Sequence, residues 1–198
     1  MKRTIQKEQT KQKLQKVAIR LFQQQGYQKT TVSQITEESG VAKGTFFNYF
    51  KSKEEVLHTL GEKQLVLFEQ QMKVILSSEQ SISSSIHDMF QSLVKTYEEA
   101  NTQLVRSLFH ISITNETFQR SEILQIEQIK HYLISLIEEG KKRGEFRGDI
   151  SSEEVGSSAI LHFFGILFYW CTTSQQFDVS LQQKVHHSVS LLLNGICS

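Results

Sequence analysis

Apolar positions in this 198-residue chain recur every third or fourth residue, the spacing of helices that bury one face. Across 5–25, Leu14, Val17, Ala18, Leu21 and Phe22 form one stripe, and Gly26 is placed to end that helix. Thr31 and Gln34 have the T-x-x-Q spacing of a capping box, opening a short helix that buries Val32 and Ile35 and stops at Ser39 and Gly40. A third short helix is expected over 43–50. Ser52 with Glu55 offers a second capping box for a long fourth helix through Val56, Leu57, Leu60, Leu67 and Phe68. The serine-rich stretch 77–85 reads as a loop. Helical patterns resume over 86–113, 116–142, 152–175 and 179–196, parted by turn chemistry at 114–115, 144–149 and 173–176. No segment sustains a period of two, so the expectation is an all-α fold without a sheet.

Composition sharpens this picture. There is no proline, which favours uninterrupted helices, and 38% hydrophobic content is enough to bury a core. Cys171 and Cys197 have no metal-ligand spacing, and the simplest reading is a reducing cytoplasm. The basic start has no apolar stretch behind it, against a secretory signal. The longest apolar run, 159–171, contains His162 and Gly165 and is too short to span a bilayer, so no membrane partner is expected. The net charge of +1 conceals an asymmetry: residues 1–55 hold 11 basic against 5 acidic side chains, the rest 11 against 16. A basic first quarter either meets a polyanion or is a solvated face.

The chemistry concentrates in 30–55. Phe46 and Phe50, at i and i+4, share a face that can pack on Ile35, Val41 and the first helix. The opposite face then shows Lys43, Gly44, Thr45, Phe47 and Tyr49: a cation, a hydroxyl, two aromatics and a backbone bared by glycine, which suits a DNA major groove. Phe47 has a plainer alternative as core, Thr31 as a cap only, and Lys53 as a solvated charge on the fourth helix. Helix, tight glycine turn, helix is the arrangement of helix-turn-helix DNA-binding units.

This stretch resembles the DNA-binding signature of the TetR family: paired threonines Thr30-Thr31, the turn Gly40-Val41-Ala42-Lys43-Gly44-Thr45, an aromatic cluster, then Phe50-Lys51-Ser52-Lys53-Glu54-Glu55. The likeness is near-continuous over about 11–60. Weaker likeness at 139–146 looks like the approach to the family's dimerisation helices. The resemblance implies an N-terminal helix-turn-helix DNA-binding domain over 1–52 and a C-terminal helical ligand-binding and dimerisation domain over 53–198, about nine helices in all. Carried over by position, it makes Thr31 a phosphate contact, Lys43, Gly44 and Thr45 the groups entering the groove, Phe47 a base contact, and Tyr49 and Lys53 phosphate clamps. Val32 stands where some relatives have a long polar base reader, and that role is not carried over.

The helix expected at 152–175 is apolar almost all round and needs burial on more than one side. The resemblance implies that it and 179–196 form a four-helix interface with their copies, through Ile160, Phe164, Leu167, Phe168, Val185, Val189 and Leu192, with Gly156, Ser157 and Gly165 allowing close approach. A two-fold dimer would present its reading heads to a palindromic operator on double-stranded DNA. The family likeness also implies a pocket for a small hydrophobic effector. Candidate lining groups are Tyr97, Leu104, Phe109, His110, Phe118, His131, Phe163 and Trp170, each of which has plain core packing as its alternative. No cofactor or metal is expected, since His110 and His131 lack partners at ligand spacing. No nucleophile–base pair, phosphate loop or H-E-x-x-H points to an enzyme. The function expected is a homodimeric repressor released by its effector. The alternatives are an activator or corepressor-dependent regulator, or an adaptor acting through a protein partner, whose marks would be a poorly formed pocket and an exposed apolar patch.

Overall fold

The computed structural model describes residues 2–77, 79–173 and 180–197. Nine helices occur among them: α1 Lys2–Gln25, α2 Val32–Glu38, α3 Lys43–Phe47, α4 Lys53–Ser77, α5 Ile82–Ala100, α6 Thr102–Thr114, α7 Glu116–Lys142, α8 Ser152–Thr173 and α9 Leu181–Asn194. No strand is present in the described residues, only an isolated antiparallel bridge between Phe146 and Cys197. The all-α expectation holds.

The first four helices follow the pattern closely. Leu14, Ala18, Leu21 and Phe22 are buried along α1, and Gly26 ends it at φ +87°, a conformation that costs glycine little. Thr31 caps α2 through a complete capping box with Gln34, and Gly40 makes the turn after it at φ +65°. α3 is shorter than expected. It stops at Phe47, and Phe50 enters the core from the turn beyond. The second capping box is displaced: Glu55 reaches back to the Lys51 amide, one residue before Ser52. Val56, Leu57 and Phe68 are buried on α4, whereas Leu67 is half exposed and the side chain of Leu60 lies outside the described part.

Two boundaries differ further on. The serine-rich stretch is not all loop, because Ser81 caps α5 and Ser83 to Ser85 lie inside it. The distant Glu145 makes this possible: its carboxylate accepts from the amides of Ile82, at 3.0 and 2.8 Å to its two oxygens, and Ser83, at 3.3 Å, and from the Ser81 hydroxyl at 2.9 Å. A carboxylate on a helix N-terminus satisfies donors that the helix leaves unpaired and complements its dipole. The helix expected over 86–113 is broken at Asn101, which adopts φ +65°, uncommon for a residue other than glycine. Asn101 ends α5 and caps α6, its Oδ1 accepting from the Leu104 amide at 3.1 Å. Of the turn expected at 173–176, residues 174–176 lie outside the described part, and Thr173 ends α8.

α5 lays Ile82, Ile86, Met89, Phe90, Leu93 and Val94 into a core shared with α7 and α9, while α8 packs against α6, α7 and α9. At 22 residues α8 is long and apolar enough to cross a membrane by length and composition, which the shorter run 159–171 did not suggest. Its inner face is covered by protein. Gly156 lets α8 approach α7, since a Cβ there would sit 2.9 Å from Ile134 Cγ1, and Gly140 makes room for the buried Phe146 ring.

Burial alone would raise the Glu145 carboxyl, but its hydrogen bonds to the Ile82 amide, the Ser81 hydroxyl and the Ser83 amide hold it below the usual carboxylate range. Its stabilisation is therefore present above the ordinary carboxylate pKa and is lost as pH falls through the lower, folded-state value. Glu145→Gln is expected to lower stability by about 1 kcal/mol at neutral pH, with the difference from wild type shrinking near pH 3. Urea unfolding at the two pH values checks both parts.

Candidate nucleic-acid interface and internal cavity

The helix-turn-helix unit is assembled from inward aromatics. Phe46 and Phe50 are both buried with ring centroids 5.4 Å apart, and Ile35 lies in the same core. This turns the other face of α3 outward: Lys43, Gly44 and Asn48 are exposed, and Thr45 and Tyr49 are half buried. Phe47 leans its edge on Phe46 at 5.5 Å yet stays 51% exposed, so its alternative as core does not hold. A Cβ at Gly44 would meet nothing within 4 Å, so nothing inside the chain requires glycine there. Ala42 begins α3 without a side-chain cap.

The loop before α2 is held from below by the start of α4. Lys53 Nζ donates to the carbonyls of Tyr27 at 2.9 Å and Thr30 at 3.0 Å and lies 4.1 Å from the centre of the Tyr27 ring. Tyr27 donates its hydroxyl to Glu54, and the Thr30 hydroxyl donates to Gly26 O at 2.9 Å. A lysine in the first turn of a helix opposes the dipole. Here two carbonyls and a ring face offset that, so the cation needs no phosphate to explain its place. This corrects the expectation of a free clamp: two of the three ammonium donors of Lys53 are spent inside the chain. Burial pulls the Lys53 ammonium below the usual lysine range, with Glu54 opposing. The Glu54 carboxyl is pushed up by burial, but hydrogen bonds from Tyr27 and Ser52 leave it net lowered. Thr31 is exposed while it caps α2, and Arg20 of α1 pairs with Glu38 of α2.

A cavity of about 270 Å³ opens among α1, α4, α5, α6, α7 and α8. A second, about 260 Å³, lies between α5, α6, α7 and α8, and the two share Tyr97, Leu108, Glu122, Ile126 and Phe164 as a common wall. Of the expected lining groups, Tyr97, Leu104 and Phe118 face the first cavity and Phe109 the second. The others do not. His110 and His131 are exposed, and His131 Nδ1 pairs with the Glu127 carbonyl at 2.7 Å. Phe163 is core, its ring tilted against Tyr97 with centroids 5.8 Å apart, and Trp170 lies off both cavities. Sequence reasoning missed the polar members: His58 of α4, hydrogen-bonded to Gln125 at 2.9 Å, and Glu122, which accepts from Ser112. The only signal for Glu122 was its position four residues before Ile126 on a half-buried helix face. Among the described residues, no three His, Cys, Asp or Glu side chains come together as a metal-ligand set.

The expected dimer-facing set is largely corrected. Ile160, Leu167, Val185 and Val189 are buried within the chain against its own helices, and Phe164 faces the cavities. Leu192 is half buried, and Phe168 alone of the set is exposed. An all-round apolar helix does not say which face points inward. The outward stripe is Leu161, Gly165, Phe168 and Tyr169, with Leu161 at 72% and the two aromatics at 53% exposure, and Leu191 of α9 exposed as well.

A three-helix head with an outward α3 and a ligand-sized cavity beneath it define a helix-turn-helix transcriptional regulator. Residues 14–60 match the family described as bacterial regulatory proteins, tetR family. Residues 14–60 therefore carry the DNA-binding unit of the tetR family. The chain is 38% identical over 65 residues to an uncharacterized HTH-type transcriptional regulator, YerO, of Bacillus subtilis, a match spanning 33% of this chain and 22% of that protein. It is 24% identical over 192 residues to the fatty acid metabolism regulator protein of the same organism, covering 90% of this chain and 91% of that one. The crystal structure of Thermus thermophilus FadR, a TetR-family repressor in complex with lauroyl-CoA, shares the fold at TM-score 0.70 and 22% identity, over 93% of this chain and 94% of that one.

Lys53→Ala is expected to cost about 1–2 kcal/mol of stability without any DNA, since it strips two carbonyls of their charged donor. Phe47→Ala, removing a half-exposed ring, should stay within about 0.5 kcal/mol of wild type. Urea midpoints of the two variants separate the positioning role from a purely external one; equal midpoints would remove the carbonyl cradle from the account.

Proposed function

We propose that the chain is a homodimeric repressor that reads a palindromic operator with two copies of α3 and is released when a small apolar ligand enters the cavity. The observation that carries this is the cavity's position: Ile19 and Gln23 of α1 and Leu57 and His58 of α4 line it together with α5 to α8. His58 is only five residues beyond Lys53, which holds the loop leading into α2. A ligand filling the cavity touches the helix that holds the reading head, so its affinity differs between arrangements of α4, and that difference is what shifts a population. A hundredfold loss of operator affinity needs a preference of about 2.7 kcal/mol.

In this reading Lys43, Gly44, Thr45 and Phe47 enter the major groove, and Thr31 and Tyr49 contact phosphates, with the third donor of Lys53 available beside them. The exposed stripe of α8, with Leu191 of α9, packs on its copy and sets two reading heads roughly one helical turn of DNA, or a multiple, apart. The apolar cavity walls and the lauroyl-CoA bound by the Thermus thermophilus relative support a ligand with a hydrocarbon part. A formed cavity tells against an adaptor that works only through a protein partner.

Selection of bound duplexes from a random pool is expected to return a palindrome; no preference for any duplex at low salt would overturn the reading. Phe168→Glu is expected to give folded monomers with operator affinity reduced at least tenfold, read by sedimentation and DNA fluorescence anisotropy, because the ring is exposed in the single chain but buried in the dimer.

A further inference from the structure

The polar groups of the cavity narrow the ligand class, an inference that rests on the ligand-released reading above. Glu122 stands on the wall common to both chambers. Among the described residues its one hydrogen-bond partner is the Ser112 hydroxyl, which also faces the Leu108 carbonyl at 2.9 Å and has a single proton to give. Among the described residues no cation pairs with it. The Tyr97 hydroxyl has no hydrogen-bond partner among the described residues, and Tyr97 lines both chambers on the same wall.

The titratable groups facing these chambers are His58 of α4, Tyr97 and Glu99 of α5, and Glu122 of α7; no lysine or arginine is among the described lining residues. Aromatic faces surround them: Tyr97, Phe118 and Phe164 in the first chamber, Phe109 and Phe164 in the second. A carboxyl group in such a place is costly when charged and unpaired. Consistently, burial raises its pKa above the usual value, the Ser112 hydroxyl only partly opposing. An anionic head, whether carboxylate or the phosphates of a CoA ester, would meet like charge and no compensating cation. An ammonium head would meet a carboxylate, a free phenol oxygen and ring faces.

We propose that the effector is a lipophilic amine, its hydrocarbon part in the apolar chambers and its ammonium group held between Glu122 and Tyr97. Four ligands with one twelve-carbon tail test this on the full chain by titration calorimetry: dodecylamine, dodecanol, dodecanoate and dodecanoyl-CoA, all below their micellar concentrations. Dodecylammonium is expected to bind at least about tenfold more tightly than dodecanol, and dodecanoate more weakly than either. Glu122→Gln, which keeps the volume, should remove about tenfold of the amine's affinity and leave dodecanol within about twofold, dodecanol binding serving as the check that the cavity is intact. If Glu122 serves only to tie α6 to α7 through Ser112, the variant would lose thermal stability and keep the order of the four head groups, and the proposal falls. Preference for dodecanoate or dodecanoyl-CoA, or binding of none of the four, also overturns it. Release of operator DNA is read in parallel by anisotropy. Release by dodecanol or dodecanoyl-CoA but not by the amine sinks the ammonium site while preserving ligand release. Failure of the chain to hold any duplex sinks the regulator reading itself.

Discussion

The reading head depends on where the positive charge of Lys53 is held. One ammonium, bound by two carbonyls and a tyrosine ring, fixes the loop between α1 and α2 to the first turn of α4. That loop carries Thr30 and Thr31, so the same contact sets the start of α2 and, through the Gly40 turn, the angle at which α3 faces outward. The charge sits at the unfavourable end of its helix, and burial disfavours it further; the two carbonyls, the ring and the neighbouring Glu54 offset that cost. A rigid α4 then joins this anchor to the cavity within about one and a half turns, and Gln15 of α1 bonding Thr59 of α4 braces the two helices on the same level.

A second tie reaches the head from the far wall of the cavity. Asn101, strained at positive φ, breaks the α5–α6 line and donates to the Gln23 carbonyl at 3.4 Å, while Gln23 donates to the Glu99 carbonyl at 2.6 Å. The last turn of α1 is therefore held by the elbow that also forms part of the cavity rim. Cavity and head are not neighbouring modules joined by one linker; they share side chains on α1 and α4.

Much of this was legible in the chain itself. The stripe on α1, the Thr31–Gln34 box, the two turn glycines and the inward pair Phe46 and Phe50 are local devices, in which each residue's role is set by neighbours within a turn or two. The outward set Lys43, Gly44, Thr45 and Phe47 followed from that pair by helical geometry alone. What failed was whatever depended on a partner far along the chain. Glu145 turns a serine-rich loop into the start of α5 from more than sixty residues away. The break at Asn101 is stabilised by α1. Lys53 looked like a free cation because its carbonyl partners are more than twenty residues upstream.

The helix pair α8 and α9 marks the boundary most sharply. Periodicity established that both are apolar and that α8 has more apolar surface than one face can use. It does not say which residues the chain buries itself, and Ile160, Leu167, Val185 and Val189, which the family likeness implies for the dimer face, lie in the core of the single chain. The sequence by itself determined the all-α class and the composition of the reading head, because those rest on contacts between near neighbours. Only the tertiary structure decided which apolar stripe stays exposed and which polar side chains share the cavity wall, because those follow from how seven distant segments pack around one another.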